Sequence, residues 1–95
     1  MDIREIIKGE KYRIVDVREP MEYQRGHING AVNVPLSRFM DSLKDLESFE
    51  GHVLFYCRSG MRSGQATTFM QGRGFNNVRN AGSLFEMETY LRDSF

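Results

Sequence analysis

His52-Val53-Leu54-Phe55-Tyr56-Cys57-Arg58-Ser59-Gly60-Met61-Arg62-Ser63 is the stretch on which the fold turns. Its first five residues are almost continuously apolar, the pattern of a strand covered on both faces in a parallel sheet. The seven that follow read as a tight loop entering a helix. A lone cysteine at the end of a buried strand, followed by backbone N–H groups able to converge on one point, is a candidate anion-cradled thiolate. Arg58 and Arg62 add positive charge there. The plainer alternative is a small buried hydrophobe, the commonest behaviour of a free cysteine.

Outward from this stretch, helical and strand-like patterns alternate. Upstream, Asp2 and Glu5 make a capping box for a short helix carrying Ile3, Ile6 and Ile7, stopped at Gly9. Tyr12 to Val17 has the β-branched content of a strand. Pro20 suits the first turn of a brief helix spanning 19–25, closed by Gly26. Asn29-Gly30 is a turn, and 31–34 is a short strand ended by Pro35. Leu36, Phe39, Met40 and Leu43 predict an amphipathic helix from Ser37, its cap, to about Leu46. Downstream, Ala66, Phe69 and Met70 mark the inner face of the helix after the loop. Gly64 and Gly72 within it predict close packing, because each costs up to about 1 kcal/mol relative to alanine. A last short strand over 77–80 leads to a second capping box, Ser83 with Glu86, and a helix facing inward through Leu84, Met87 and Leu91.

This alternation defines one α/β domain over 1–95 with a mostly parallel sheet and helices on both faces. In such sheets ligands sit outside the carboxyl ends of the strands, where Cys57, Arg18 and the 80–82 turn would gather. The 95 residues carry 13 basic and 13 acidic side chains, a balance that gives no footprint for nucleic acid or an anionic membrane. One cysteine excludes an internal disulfide, a CxxC pair and a cysteine-based zinc site. No metal or other cofactor is expected. No apolar run approaches a membrane span, and the charged start is unlike a signal peptide, so the expectation is a soluble, cytoplasmic protein. Oligomeric state is left open.

A thiolate at a helix amino terminus beside arginines needs no adjacent base. Cysteine-protease chemistry would require an imidazole, and only His27 and His52 exist. His52 begins the strand that Cys57 ends, and His27 reads as a turn residue. Ser59, Gly60 and the two arginines form a pocket for a small oxyanion such as thiosulfate, phosphate or arsenate. A phosphatase signature has five residues between cysteine and arginine, whereas Arg62 follows Cys57 after four, with Ser63 in the arginine's place. The shorter cradle fits a single sulfur atom, whose persulfide charge the N–H groups would stabilise.

The chain resembles a single-domain rhodanese of the thiosulfate sulfurtransferase family. The resemblance runs from about Ile3 to Leu91 and rests on Asp16-Val17-Arg18-Glu19, Glu22-Tyr23, Gly26-His27-Ile28, Gly30-Ala31, Asn33-Val34-Pro35, the loop from Cys57 to Ser63, and Gly74-Phe75 before Val78. It implies a rhodanese-like sheet of four to five strands, the opening edge strand being truncated here. It also implies a sulfurtransferase: Cys57 takes the outer sulfur of thiosulfate, releases sulfite, and passes the persulfide sulfur to a thiophilic acceptor. Arg58, Ser59, Gly60, Met61, Arg62 and Ser63 would bind substrate, and Met61 would shelter the persulfide. Asp16 and Arg18 could contact substrate, but a charge pair at a strand end is more often a structural bridge that holds neighbouring loops. The expected partners are a small sulfur donor and a thiol or cyanide acceptor, a protein thiol in trans included. A phosphatase or arsenate reductase on the same fold, or a non-catalytic binding module, are the alternatives. Where the family commonly has a Gly-Gly pair and a tryptophan, this chain has Gly82-Ser83 and Met87.

Overall fold

The computed structural model describes residues 1–95. Helix α1 (Ile3–Gly9) is capped as expected: the Asp2 carboxylate accepts from the Glu5 N–H, and the Glu5 carboxylate accepts from the Asp2 N–H. Then come β1 (Tyr12–Asp16), α2 (Pro20–Gln24) and a two-residue β2 (Val32–Asn33). A 3₁₀ segment (Leu36–Ser42) leads into α3 (Leu43–Ser48), followed by β3 (His52–Cys57), α4 (Met61–Gly72), β4 (Val78–Ser83) and α5 (Leu84–Ser94). The four strands form one sheet in the order β2-β1-β3-β4, with every neighbouring pair parallel.

Alternation along the strands divides the core in two. Val15, Val53, Phe55 and Cys57 face Phe39, Leu43, Leu46, Ala66 and Met70, so the thiol lies on the α3–α4 side. Ile14, Leu54 and Tyr56 face Ile3, Ile6, Ile7 and Met87 on the α1–α5 side. A sheet covered on both faces explains why β3 reads as a continuous apolar run.

The structure corrects several expectations. The helix predicted from Ser37 to Leu46 is broken, because Arg38 has a non-helical backbone (φ −129°, ψ 28°) and the α-helical turn begins only at Leu43. Ser37 does not cap it; its hydroxyl donates instead to both carboxylate oxygens of Glu19, at 3.0 and 2.9 Å. That tie holds α2 to the chain after Pro35. Met40, read as inward, is exposed once the helix breaks. Phe69 is only partly covered, edge-on to Phe39. Gly64 does sit close to another element, since a Cβ there would lie 3.2 Å from Asn80 Nδ2, but Gly72 faces open space. The last strand runs on to Ser83 because a bulge carries it past 80: Phe55 pairs with Asn80 but Tyr56 with Gly82, leaving Ala81 as the extra residue.

Candidate active site

Cys57 ends β3 with no exposed surface and no disulfide partner. Three residues later Gly60 takes φ +94°, a left-handed conformation that turns the chain sharply into α4. A Cβ at Gly60 would come within 3.3 Å of the Gly82 Cα, so the loop and β4 approach as closely as two glycines permit. The turn directs N–H groups back at the sulfur. The Gly60 N–H donates to Cys57 Sγ at 3.0 Å and the Ser63 N–H at 3.4 Å, and Ser63 Oγ lies 3.4 Å from the same atom. The first turn of a twelve-residue helix adds the positive end of its dipole.

Burial alone would push the Cys57 thiol up. The hydroxyl and N–H of Ser63 and the N–H groups of Gly60 and Ser59 outweigh it and bring the thiol below its ordinary value. No imidazole takes part. His27 stacks on Tyr23 with ring centroids 3.7 Å apart, its Nδ1 2.9 Å from the Tyr23 carbonyl. His52 begins the strand that Cys57 ends, about 16 Å away at 3.3 Å per residue.

The two loop arginines differ. Arg62 is engaged in a two-pronged ion pair with Glu22 of α2, at 2.7 and 3.0 Å. That bond, with the N–H of Glu19, holds the Glu22 carboxyl down at about 2. Arg58 is exposed and makes neither a hydrogen bond nor an ion pair. Ser59 Oγ accepts from the Met61 N–H at 3.4 Å. Met61 is 74% exposed and lines a shallow groove with Gly60, Gln65 and Phe69 instead of folding over the sulfur.

Asp16 and Arg18 form a separate buried network. Arg18 Nη2 donates to Asp16 Oδ2 and to the Gly26 carbonyl, both at 2.7 Å, and Arg18 Nε lies 3.0 Å from both carboxylate oxygens. The Tyr56 hydroxyl donates to Asp16 Oδ2 at 2.7 Å and accepts from the Ile28 N–H at 3.0 Å. Burial and the Asp16 carboxylate push the Tyr56 phenol far above its ordinary value, so it remains a donor. Asn33 Nδ2 closes the set on the carbonyls of Asp16 and Arg18. The carboxylate thus ties the ends of β1 and β3, through Arg18 and Tyr56, to the segment before the Asn29-Gly30 turn, and Asn33 ties the segment after it to the backbone of Asp16 and Arg18.

Sequence reasoning missed two groups. Glu22 enters the sequence reading only as part of a motif, and Asn80 only as the end of a strand and the start of a turn. Yet Asn80 Oδ1 lies 2.7 Å from Ser63 Oγ, and its Nδ2 donates to the Gly60 carbonyl at 3.0 Å. Alternation with Val78 sets Asn80 on the α4 face of β4, but the sequence pattern does not say that Ser63 and Gly60 meet it there.

These features define a class: a small parallel α/β domain whose central strand delivers one thiol to a ring of backbone donors, clear of any base or metal cluster. A profile of the Rhodanese-like domain matches residues 2–86. The thiosulfate sulfurtransferase PspE of Escherichia coli K12 is 37% identical over 71 residues, which are 74% of this chain and 68% of that protein. A solved structure of a rhodanese with anions from E. coli superposes with a TM-score of 0.72 at 34% identity, over 80% of this chain and 91% of that one. A tRNA uridine(34) hydroxylase of Buchnera aphidicola is 32% identical across 98% of this chain, which spans only 31% of the hydroxylase. The chain belongs to the rhodanese-like domain family. No helix is long and apolar enough to cross a membrane.

Proposed function

We propose that the protein is a thiosulfate-type sulfurtransferase with Cys57 as its nucleophile. The Cys57 thiolate attacks the outer sulfur of thiosulfate. A Cys57–sulfur bond forms as the sulfur–sulfur bond of the donor breaks, and sulfite leaves with the electron pair. The product is a persulfide anion on Cys57. A thiolate or cyanide then attacks the outer sulfur, and the electron pair returns to Cys57 as thiolate. A protein thiol is an acceptor of the same chemistry. The name and similarity of PspE support thiosulfate as donor.

The observation that carries this reading is the convergence of the Gly60 and Ser63 N–H groups on one sulfur, 3.0 and 3.4 Å away. Fixed donors aimed at a charged sulfur stabilise thiolate and persulfide without reorganising. Arg58, free of any carboxylate, is the side chain for the sulfonate of the donor. Arg62, held by Glu22, supplies field and loop shape. Asp16 and Arg18 support the loops without touching the reacting atoms. Incubation with thiosulfate alone should raise the intact mass by one sulfur atom, a gain absent in Cys57→Ser. A wild-type chain that stays unloaded refutes the proposal.

A further inference from the structure

The Ser63 hydroxyl carries one proton and has three claimants for it: Asn80 Oδ1 at 2.7 Å, Cys57 Sγ at 3.4 Å and the Gly82 carbonyl at 3.5 Å. The orientation of Asn80 decides among them. The Gly82 N–H donates to Oδ1 at 2.9 Å, and Nδ2 donates to the Gly60 carbonyl at 3.0 Å. A flipped amide would set donor against donor and acceptor against acceptor, so the atom facing Ser63 is an oxygen. The hydroxyl therefore donates to Asn80, and its lone pairs face the sulfur. A neutral thiol fits this arrangement as donor, giving a chain from S–H through O–H to the Asn80 carbonyl. A thiolate, already held by the Gly60 and Ser63 N–H groups, gains the hydroxyl as a further donor only when the hydroxyl turns.

We propose that Asn80 is a positioning residue for the sulfur chemistry: it holds the Ser63 proton on its own carbonyl oxygen while Cys57 is a neutral thiol, and yields it to the sulfur when the sulfur becomes charged. The proposal rests on Cys57 being the reacting group. Turning the hydroxyl gives up a neutral hydrogen bond for one to an anion, which is the stronger kind. Asn80 thereby moderates how readily the loop ionises Cys57. Moderation has a chemical use, because the nucleophilicity of a thiolate falls as its pKa falls, and the best attacking thiol titrates near the ambient pH. Asn80 stands on the α4 side by ordinary alternation with Val78, and the bulge that follows it accompanies the bond from the Gly82 N–H to its Oδ1.

No charged group hydrogen-bonds the sulfur. Those on the surrounding elements are Arg58 and Arg62 of the loop and α4, Glu22 of α2 with Glu19 at its N-cap, the Asp16–Arg18 pair at the end of β1, and Glu86, whose carboxylate caps α5. None is altered by the variants below, so their fields cancel in the comparison.

The test is thiolate titration of Cys57 by its ultraviolet absorbance in wild type, Asn80→Ala, Ser63→Ala and the double variant. Asn80→Ala frees the hydroxyl for the sulfur and should lower the Cys57 pKa by about half to one unit. In the Ser63→Ala background the same substitution should produce no lowering. Loosening of Gly60 on loss of the Asn80 amide would act equally in both backgrounds, so the cycle isolates the coupling. A shift of the same size in both backgrounds, or no lowering in the first, overturns the proposal. If Asn80→Ala fails to fold, Asn80→Ser, too short to reach Ser63 Oγ, takes its place. The titration needs no sulfur donor, so its outcome is separate from that of thiosulfate loading.

Discussion

Replacing Tyr56 by phenylalanine removes one oxygen atom from the buried network beside the site. That oxygen donates to Asp16 Oδ2 at 2.7 Å and accepts from the Ile28 N–H at 3.0 Å, in a side chain with no exposed surface. A hydrogen bond to a charged group is worth about 1.5–3 kcal/mol, and a buried N–H left without an acceptor costs about 1–3 kcal/mol. Asp16 keeps its three bonds from Arg18 Nε, Nη2 and N, so its charge stays compensated and the full cost of an unpaired buried carboxylate does not arise. Easier burial of the phenyl ring offsets part of the loss. The net expectation is about 3 kcal/mol, a large share of the 5–15 kcal/mol typical of a domain. Urea unfolding followed by circular dichroism should show the midpoint falling by about 2–3 M with an unchanged slope. Sulfur loading of Cys57, measured well below the midpoint, should keep its wild-type rate, because Tyr56 points to the α1–α5 side and Cys57 to the other. A stability loss under about 0.5 kcal/mol would refute the reasoning on the network. Full stability with slowed loading would move Asp16 and Arg18 from support into the chemistry.

The Glu22–Arg62 pair should make stability sensitive to acid. The Glu22 carboxyl is depressed from the usual 4.5 to about 2, chiefly by Arg62, so its contribution is complete above about 4.5 and disappears as pH falls through about 2. Solvent reaches about a third of both side chains, which limits the effect to about 1 kcal/mol; Glu22→Gln should remove that part of the pH dependence, and an unchanged acid-unfolding curve would count against it. Gly82 has φ +86°, and a side chain there would also press on the Glu86 carboxylate that caps α5. Gly82→Ala should therefore cost about 1–2 kcal/mol in urea unfolding, and an unaffected midpoint would show that β4 relaxes freely.

The topology was readable because β3 and the capped helices state their pattern locally. His52 to Cys57 is apolar on both sides of its alternation, and Asp2-Glu5 and Ser83-Glu86 mark helix starts by reciprocal hydrogen bonds. The Cys57 loop was readable for a similar reason: cysteine, glycine and a helix start in direct succession determine where the N–H groups point. What escaped was decided between elements. Ser37 finds Glu19 of another segment and not its own helix, and Arg38 interrupts a pattern whose apolar spacing is otherwise helical. The role of Asn80 depends on its meeting Ser63 and the Gly60 carbonyl of another element, which one strand's sequence does not encode.

Helices α1 and α5 run against each other on one face of the sheet, and Arg4 near the start of the chain meets Asp93 near its end at 2.8 Å. Arg79, early in β4, reaches the Met1 carbonyl at 3.4 Å. The two ends therefore emerge side by side at the strands' amino edge, opposite the rim that carries Cys57. A fold with this geometry behaves as a cartridge. A host protein could receive it in a surface loop, with both junctions at the base and the sulfur-bearing rim untouched.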